Sequence, residues 1–255
     1  MLIVISPAKK LDMNQDFADI VPTIPALLED SSTLIDTLRL QDSYAIANLM
    51  KISMKLADLN QQRFQAWHRP FTHDNARPAL AVFRGDVYQT LDADSFSHSD
   101  HDFAQAHLRI LSGLYGILRP HDLMQSYRLE MGTALATSRG KNLYEFWSDR
   151  ISKQLAIHME QNNSSHLINL ASQEYFKSVR PQHIPGSIIT PTFKELHNGR
   201  YKVIGIHAKR ARGLMARFII QQQITDVEAL KDFNEGGYRW SCDDSNAHTW
   251  VFCRP

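Results

Sequence analysis

Leu111-Ser112-Gly113-Leu114-Tyr115-Gly116-Ile117-Leu118-Arg119-Pro120 is the stretch on which the fold turns. Apolar residues flank Gly116, a residue free to take positive φ, and Pro120 suits the first turn of a new helix. Upstream, Ser97 or Ser99 precedes Phe103, His107, Ile110, Leu111 and Leu114 on one helical face. Downstream, Leu123, Met124 and Tyr127 supply the apolar residues of a second helix. The expected element is a helix-hairpin-helix, two helices joined by a tight glycine turn. Such a turn can offer backbone N–H groups to a nucleic-acid phosphate, fixing position without reading sequence. An αα-hairpin of purely structural use has the same pattern.

Working outward, Leu2 to Ile5 reads as a buried strand ended by Ser6-Pro7. Ala79 to Phe83, Leu167 to Ala171, and segments around Ile188, Val203 and Trp250 read as further strands. Asp12 to Asp30, with Pro22, Pro25 and scattered acids, reads as a surface excursion. Ser43 heads one helix carrying Ile46, Leu49 and Met50, and Asn60 another carrying Phe64 and Trp67. Asn142 with Glu145, and Thr225 with Glu228, resemble capping boxes. A long helix from Ala208 has Ala211, Met215, Phe218 and Ile219 on its apolar face. Strands and helices alternate without a doubly wound signature. The expectation is a mixed α/β fold, a single compact domain over residues 1–255 with a sheet and surrounding helices.

Of the 255 residues 43% are hydrophobic and 22% charged, enough apolar surface for a sizeable core. Cys242 and Cys253 form neither a C-x-x-C pair nor a disulfide framework. The apolar start is too short for a signal sequence, and no run is long enough to span a bilayer. A reduced, cytoplasmic setting with no membrane partner is expected.

Lys plus Arg is 28 against 27 for Asp plus Glu, so only the distribution of charge is informative. From Glu174 to Arg217 the acids are Glu174 and Glu195. The bases are Lys177, Arg180, Lys194, Arg200, Lys202, Lys209, Arg210, Arg212 and Arg217. With a helix starting at Ala208, Lys209 and Arg210 fall in its first turn, where the dipole disfavours cations and a bound phosphate would relieve them. A solvated face paired to acids elsewhere in the fold is the bland alternative.

Several blocks make the chain similar, along essentially its full length, to the YaaA family of bacterial peroxide-stress proteins. They are Ile5-Ser6-Pro7-Ala8-Lys9, Gly85-Asp86-Val87-Tyr88, the run from Leu111 to Gly132, and Asn169-Leu170-Ala171-Ser172. Glu174 to Val179, Lys209 to Met215 and Arg217-Phe218-Ile219 complete the set. The resemblance implies a positively charged cleft, a helix-hairpin-helix element, DNA binding, and a role in limiting oxidative damage by lowering free intracellular iron. The family's hairpin falls on Leu114 to Pro120 and its basic block on Lys209 to Arg217. Where the family reads Lys-Lys-Ala-Arg this chain has Lys209-Arg210-Ala211-Arg212, and Lys10 stands where threonine is expected. The tail from Cys242 matches least.

His98, Asp100, His101 and Asp102 are the best local metal cluster, but their spacing is that of helix-start polar residues, and no metal or other cofactor is expected. No G-x-S-x-G, P-loop or G-x-G-x-x-G is present. Polar residues at strand ends often face a ligand crevice, which singles out Ser6, Lys9, Asp86, Glu130 and Glu174, with Tyr88, Tyr115 and Tyr175 as aromatic walls. The leading expectation is a non-enzymatic, weakly sequence-specific grip on DNA by Lys9, Lys10, Leu114, Tyr115, Gly116, Ile117, Arg119, Arg128, Lys177, Lys209, Arg210, Arg212 and Arg217. The rival is an enzyme acting on a nucleotide or nucleobase in the same cleft, through Lys9, Asp86 and Glu174.

Overall fold

The computed structural model describes residues 1–17 and 20–255; Ala18 and Asp19, within the surface excursion expected from Asp12 to Asp30, lie outside the described residues. Eight strands make the main sheet: β1 (Leu2–Ile5), β2 (Leu108–Ser112), β3 (Gly116–Leu118), β4 (His166–Leu170), β5 (Ser187–His197), β6 (Arg200–Lys202), β7 (Arg239–Ser241) and β8 (Thr249–Arg254). The order across the sheet is β7-β8-β5-β4-β1-β2-β3, with β6 paired to β5. β8, β5, β4, β1 and β2 are mutually parallel, and β7, β3 and β6 pair antiparallel to their neighbours. Leu2, Ile3, Val4 and Ile5 are wholly buried, as a central parallel strand covered on both faces must be.

Around the sheet lie α1 (Leu28–Arg39), α2 (Ser43–Met50), α3 (Met54–Ala66), α4 (Asp86–Leu91), α5 (His98–His107), α6 (Arg150–Gln161), α7 (Gln173–Phe176) and α8 (Gly205–Gln221). One apolar cluster joins Leu34 and Ile35 of α1, Leu155 of α6 and Met215 of α8 to the strands. The helix expected from Asn60 begins earlier, at Met54 behind the cap Ser53, and Asn60 is buried with its side-chain amide donating to the Leu56 carbonyl at 2.7 Å. Ala79–Val82 is a helical turn rather than a strand, followed by the two-residue strand Phe83–Arg84.

The expected helix-hairpin-helix is corrected. α5 stops at His107, and Ile110 to Leu118 is a β-hairpin in which Ile110, Leu111 and Ser112 pair with Leu118, Ile117 and Gly116. Gly116 does take positive φ, at 67°, and the Ser112 hydroxyl accepts from the Tyr115 amide at 2.9 Å to close the turn. The physical reason is burial on every side. From Leu108 to Leu118 every residue is buried, which a helix with one apolar face would not produce. Periodicity cannot separate a short continuous apolar run from a buried helical segment.

The absence of a doubly wound signature is corrected as well. From β1 the chain crosses to β2 on one side, whereas from β4 it crosses to β5 on the other. The chain therefore leaves the carboxyl ends of the paired strands β1 and β4 in opposite directions, the arrangement that opens a crevice in parallel α/β sheets.

Candidate functional site

That crevice is built from three sides. The Ser172 amide donates to Ser6 Oγ at 2.8 Å, and the buried Tyr88 hydroxyl donates to the Ser6 carbonyl at 2.9 Å. Beyond Ser6, Lys10–Leu11 pairs antiparallel with Phe83–Arg84, which brings Gly85 and Asp86 alongside. On the third side α8 lies directly against α4. Only glycine fits at position 213, because a Cβ there would stand 2.1 Å from the Val87 carbonyl oxygen and from Thr90 Oγ1. Thr90 Oγ1 also donates to the Arg210 carbonyl at 2.8 Å, fixing the rotation of α8.

The result is a cavity of about 470 Å³, the size of a small-molecule site. Its lining includes six basic side chains, Lys9, Lys10, Arg84, Arg128, Lys209 and Arg212, against three acidic ones, Asp86, Glu130 and Glu174. Much of this charge is already committed. Glu130 Oε1 accepts from Lys9 Nζ at 3.0 Å and from Arg128 Nη2 at 2.9 Å. Arg84 lies 3.5 Å from Asp94, and Glu174 Oε1 accepts from the Gly132 amide at 2.9 Å. Lys10, Lys209 and Arg212 have no acidic partner among the described residues. Arg212 is half-buried, and burial lowers its pKa; a guanidinium keeps its charge in a folded protein all the same. Arg128 Nε is buried with no acceptor among the described residues.

Tyr88, Tyr127 and Tyr175 form the apolar wall. Burial, reinforced by their mutual proximity, raises the pKa of Tyr88 and Tyr175, and burial raises that of Tyr127, so all three stay protonated. They offer ring faces and hydroxyl groups, not phenolate charge.

The crevice thus brings together Lys9, Lys10, Arg128, Lys209 and Arg212 from the expected DNA-binding set, with Ser6, Asp86, Tyr88, Glu130, Glu174 and Tyr175 from the strand-end candidates. Arg210 stands beside them, its Nε 3.8 Å from Asp86. Others are elsewhere. Leu114, Tyr115, Gly116 and Ile117 are buried in the β-hairpin and cannot touch a macromolecule. The Tyr115 hydroxyl accepts from Trp67 Nε1 at 3.2 Å rather than lining the crevice. Arg119 is bound to the buried Asp122 at 3.0 Å, and Arg217 to Asp92 at 2.6 Å. Lys177 lies over the Tyr144 ring at 4.9 Å. α8 begins at Gly205, so Lys209 and Arg210 occupy its second turn and the first-turn dipole argument does not apply to them. Arg84 and Tyr127 join the site although neither stands among the expected site residues; the helix expected to carry Tyr127 is not formed, and Leu123–Met124 is a short strand instead. Of the metal candidates, Asp100 is spent on the capping box of α5 with Ser97.

Residues 1–244 match the family model described as peroxide stress protein YaaA. A UPF0246 protein of Aliivibrio fischeri strain MJ11 is 53% identical over 254 residues, covering 100% of this chain and 98% of its own. UPF0246 proteins of Colwellia psychrerythraea and Teredinibacter turnerae are each 53% identical, covering 100% of this chain and 99% of their own lengths.

Proposed function

The chain belongs to the peroxide stress protein YaaA family, and on that premise we propose that it binds DNA through the backbone phosphates at the crevice, limiting iron-driven oxidative damage during the peroxide response. The observation that supports this most is Arg212. A half-buried guanidinium with no acid beside it is costly to hold, and a phosphate oxygen supplies the missing partner. Lys209 one helical turn away and Lys10 across the mouth extend the cationic surface, and such contacts carry little sequence information. The setting proposed is the cytoplasm; among the described residues no helix is long and apolar enough to cross a membrane.

Affinity for a duplex should fall with salt at about −0.9 in log–log slope per neutralised phosphate. Lys209→Glu combined with Arg212→Glu should abolish binding. A flat salt response, or full binding by that double variant, would sink the proposal. For the iron role, strand breakage by Fe(II) and peroxide should fall when the protein is added to DNA, and should not fall with the double variant.

A second reading is favoured by the small-molecule size of the cavity and by Asp86, Glu130 and Glu174 within it. In that reading the protein is an enzyme acting on a nucleotide or nucleobase, with Lys9, Asp86 and Glu174 as its reactive groups. Asp86→Asn and Glu174→Gln would then leave DNA binding intact while removing turnover.

A further inference from the structure

β5 runs on well past the strand beside it. β4 and β5 last pair at Ile168 and Ile189, and β5 continues to His197, about 25 Å further at roughly 3.3 Å per residue. β8 covers one edge of this extension as far as Glu195, and β6 takes the other edge, pairing Arg200 with His197 and Lys202 with Glu195. The edge that β6 occupies is the one β4 has vacated. The β5–β6 hairpin therefore rises from the carboxyl edge of the sheet, the same edge at which the crevice opens.

Its tip is a two-residue Asn198-Gly199 turn, the tightest hairpin connection. A Cβ at Gly199 would meet nothing within 4 Å, so the tip stands clear of the rest of the protein. Arg200, Tyr201 and Lys202 are all exposed. Neither Arg200 nor Lys202 has an acidic partner among the described residues. The one acid of the ribbon, Glu195, is turned inward and buried, where it accepts from Tyr238 Oη and His207 Nδ1, each at 2.7 Å, and from Arg254 Nη2 at 2.9 Å. An isolated two-stranded ribbon is marginal in water; this one is clamped at its base by three donors and stiffened by the cross-strand pair Leu196–Tyr201.

We propose that the β5–β6 hairpin is a second DNA-contacting element, a rigid wing whose Arg200 and Lys202 grip duplex phosphates beyond those held at the crevice. The two elements are joined directly, because β6 leads within three residues into α8, which carries Lys209 and Arg212. Arg200 and Lys202 share one face of β6; Glu195, directly across from Lys202, is already engaged by Tyr238, His207 and Arg254, which leaves both cations for the polyanionic surface of a duplex. The inference rests on the DNA-binding reading above, and the experiment keeps the two apart.

Binding to a duplex of about two helical turns is measured over a salt series for the wild type, for Arg200→Gln with Lys202→Gln, and for Lys209→Ala with Arg212→Ala. The wing predicts that the first double variant flattens the slope by about 1.8, and each single Gln variant by about half of that, since two phosphate contacts are lost. Circular dichroism and thermal melting of the wing variants should match wild type, because both side chains are exposed. A wild-type slope in the Arg200/Lys202 variant, alongside a reduced slope at Lys209/Arg212, overturns the wing and leaves the crevice reading standing. No binding by the wild type overturns both. Loss confined to the wing variants retains the wing and overturns the crevice as the phosphate site.

Discussion

The Ser172 amide donates a 2.8 Å hydrogen bond to Ser6 Oγ, tying the first residue after β1 to the turn after β4. The ladder already joins Ile5 to Leu170, and this contact carries the link one step beyond it, at the floor of the crevice. Ser6→Ala leaves that part-buried N–H without its acceptor. The expected cost is about 1–2 kcal/mol in urea unfolding. A Ser6→Thr variant, which keeps the hydroxyl, should recover most of it; equal stability of Ala and wild-type proteins would show that the bond carries nothing.

Gly213→Ala tests the contact between α8 and α4. The added methyl group has no room beside the Val87 carbonyl and Thr90, so the helices must separate. Overpacking of this kind costs about 1–3 kcal/mol, which in a chain of this length lowers the melting temperature by several degrees. DNA affinity should drop too, although no charge has changed, because Arg212 moves away from the opposite wall. Unchanged affinity in a folded Gly213→Ala protein would show that the position of α8 is not critical.

Arg217→Ala serves as a contrast to the crevice cations. Arg217 is engaged with Asp92, on the far part of α8 from the cavity. Its removal should leave the salt slope for DNA unaltered within measurement error and cost at most about 1 kcal/mol of stability, as half-exposed ion pairs do. A slope reduced by a full contact would place DNA along the whole length of α8.

Acid sensitivity should come from two buried histidines. Burial lowers the pKa of His158 to about 3, with Arg109 and Arg119 adding to the effect, and Arg109 Nε donates to its Nδ1 at 2.8 Å. Burial, with His101 contributing, lowers that of His121 to about 4. Both folded values lie below the unfolded value of about 6.5, so the unfolded chain takes up protons that the folded one refuses. Their stabilising contribution is complete above about pH 6.5 and is lost as pH falls toward 4 and then 3. Each steepens the decline by up to about 1.4 kcal/mol per pH unit. Urea melts between pH 7 and 4 should show this, and His121→Gln should make the decline shallower. A flat profile across that window would contradict the assignment.

The crevice was more legible in the sequence than the fold that makes it. Ser6, Lys9, Asp86 and Glu174 each follow a strand or turn boundary marked by serine, proline or glycine, and polar residues at such ends share one edge of a parallel sheet. The strand order was not legible, because pairings such as Ile3 with Ile168 join residues far apart in the chain without a local signal. Leu108 to Leu118 misled for a different reason: buried on all sides, it has no polar face to reveal its period. Nor could charge alone show that Arg119 is paired with Asp122, that Lys177 lies over Tyr144, or that Arg217 is paired with Asp92.

β1 lies in the middle of the sheet, yet both of its parallel partners are remote in sequence, starting at Leu108 and His166. Seating them closes loops of roughly 100 and 160 residues, and long-range parallel pairing of this kind is slow. Until those loops close, the apolar Leu2-Ile3-Val4-Ile5 has open edges and no charged residue, the state most prone to wrong pairing. The crevice beyond β1 and β4 can take shape only after the longer loop has closed, which makes it a late event in folding.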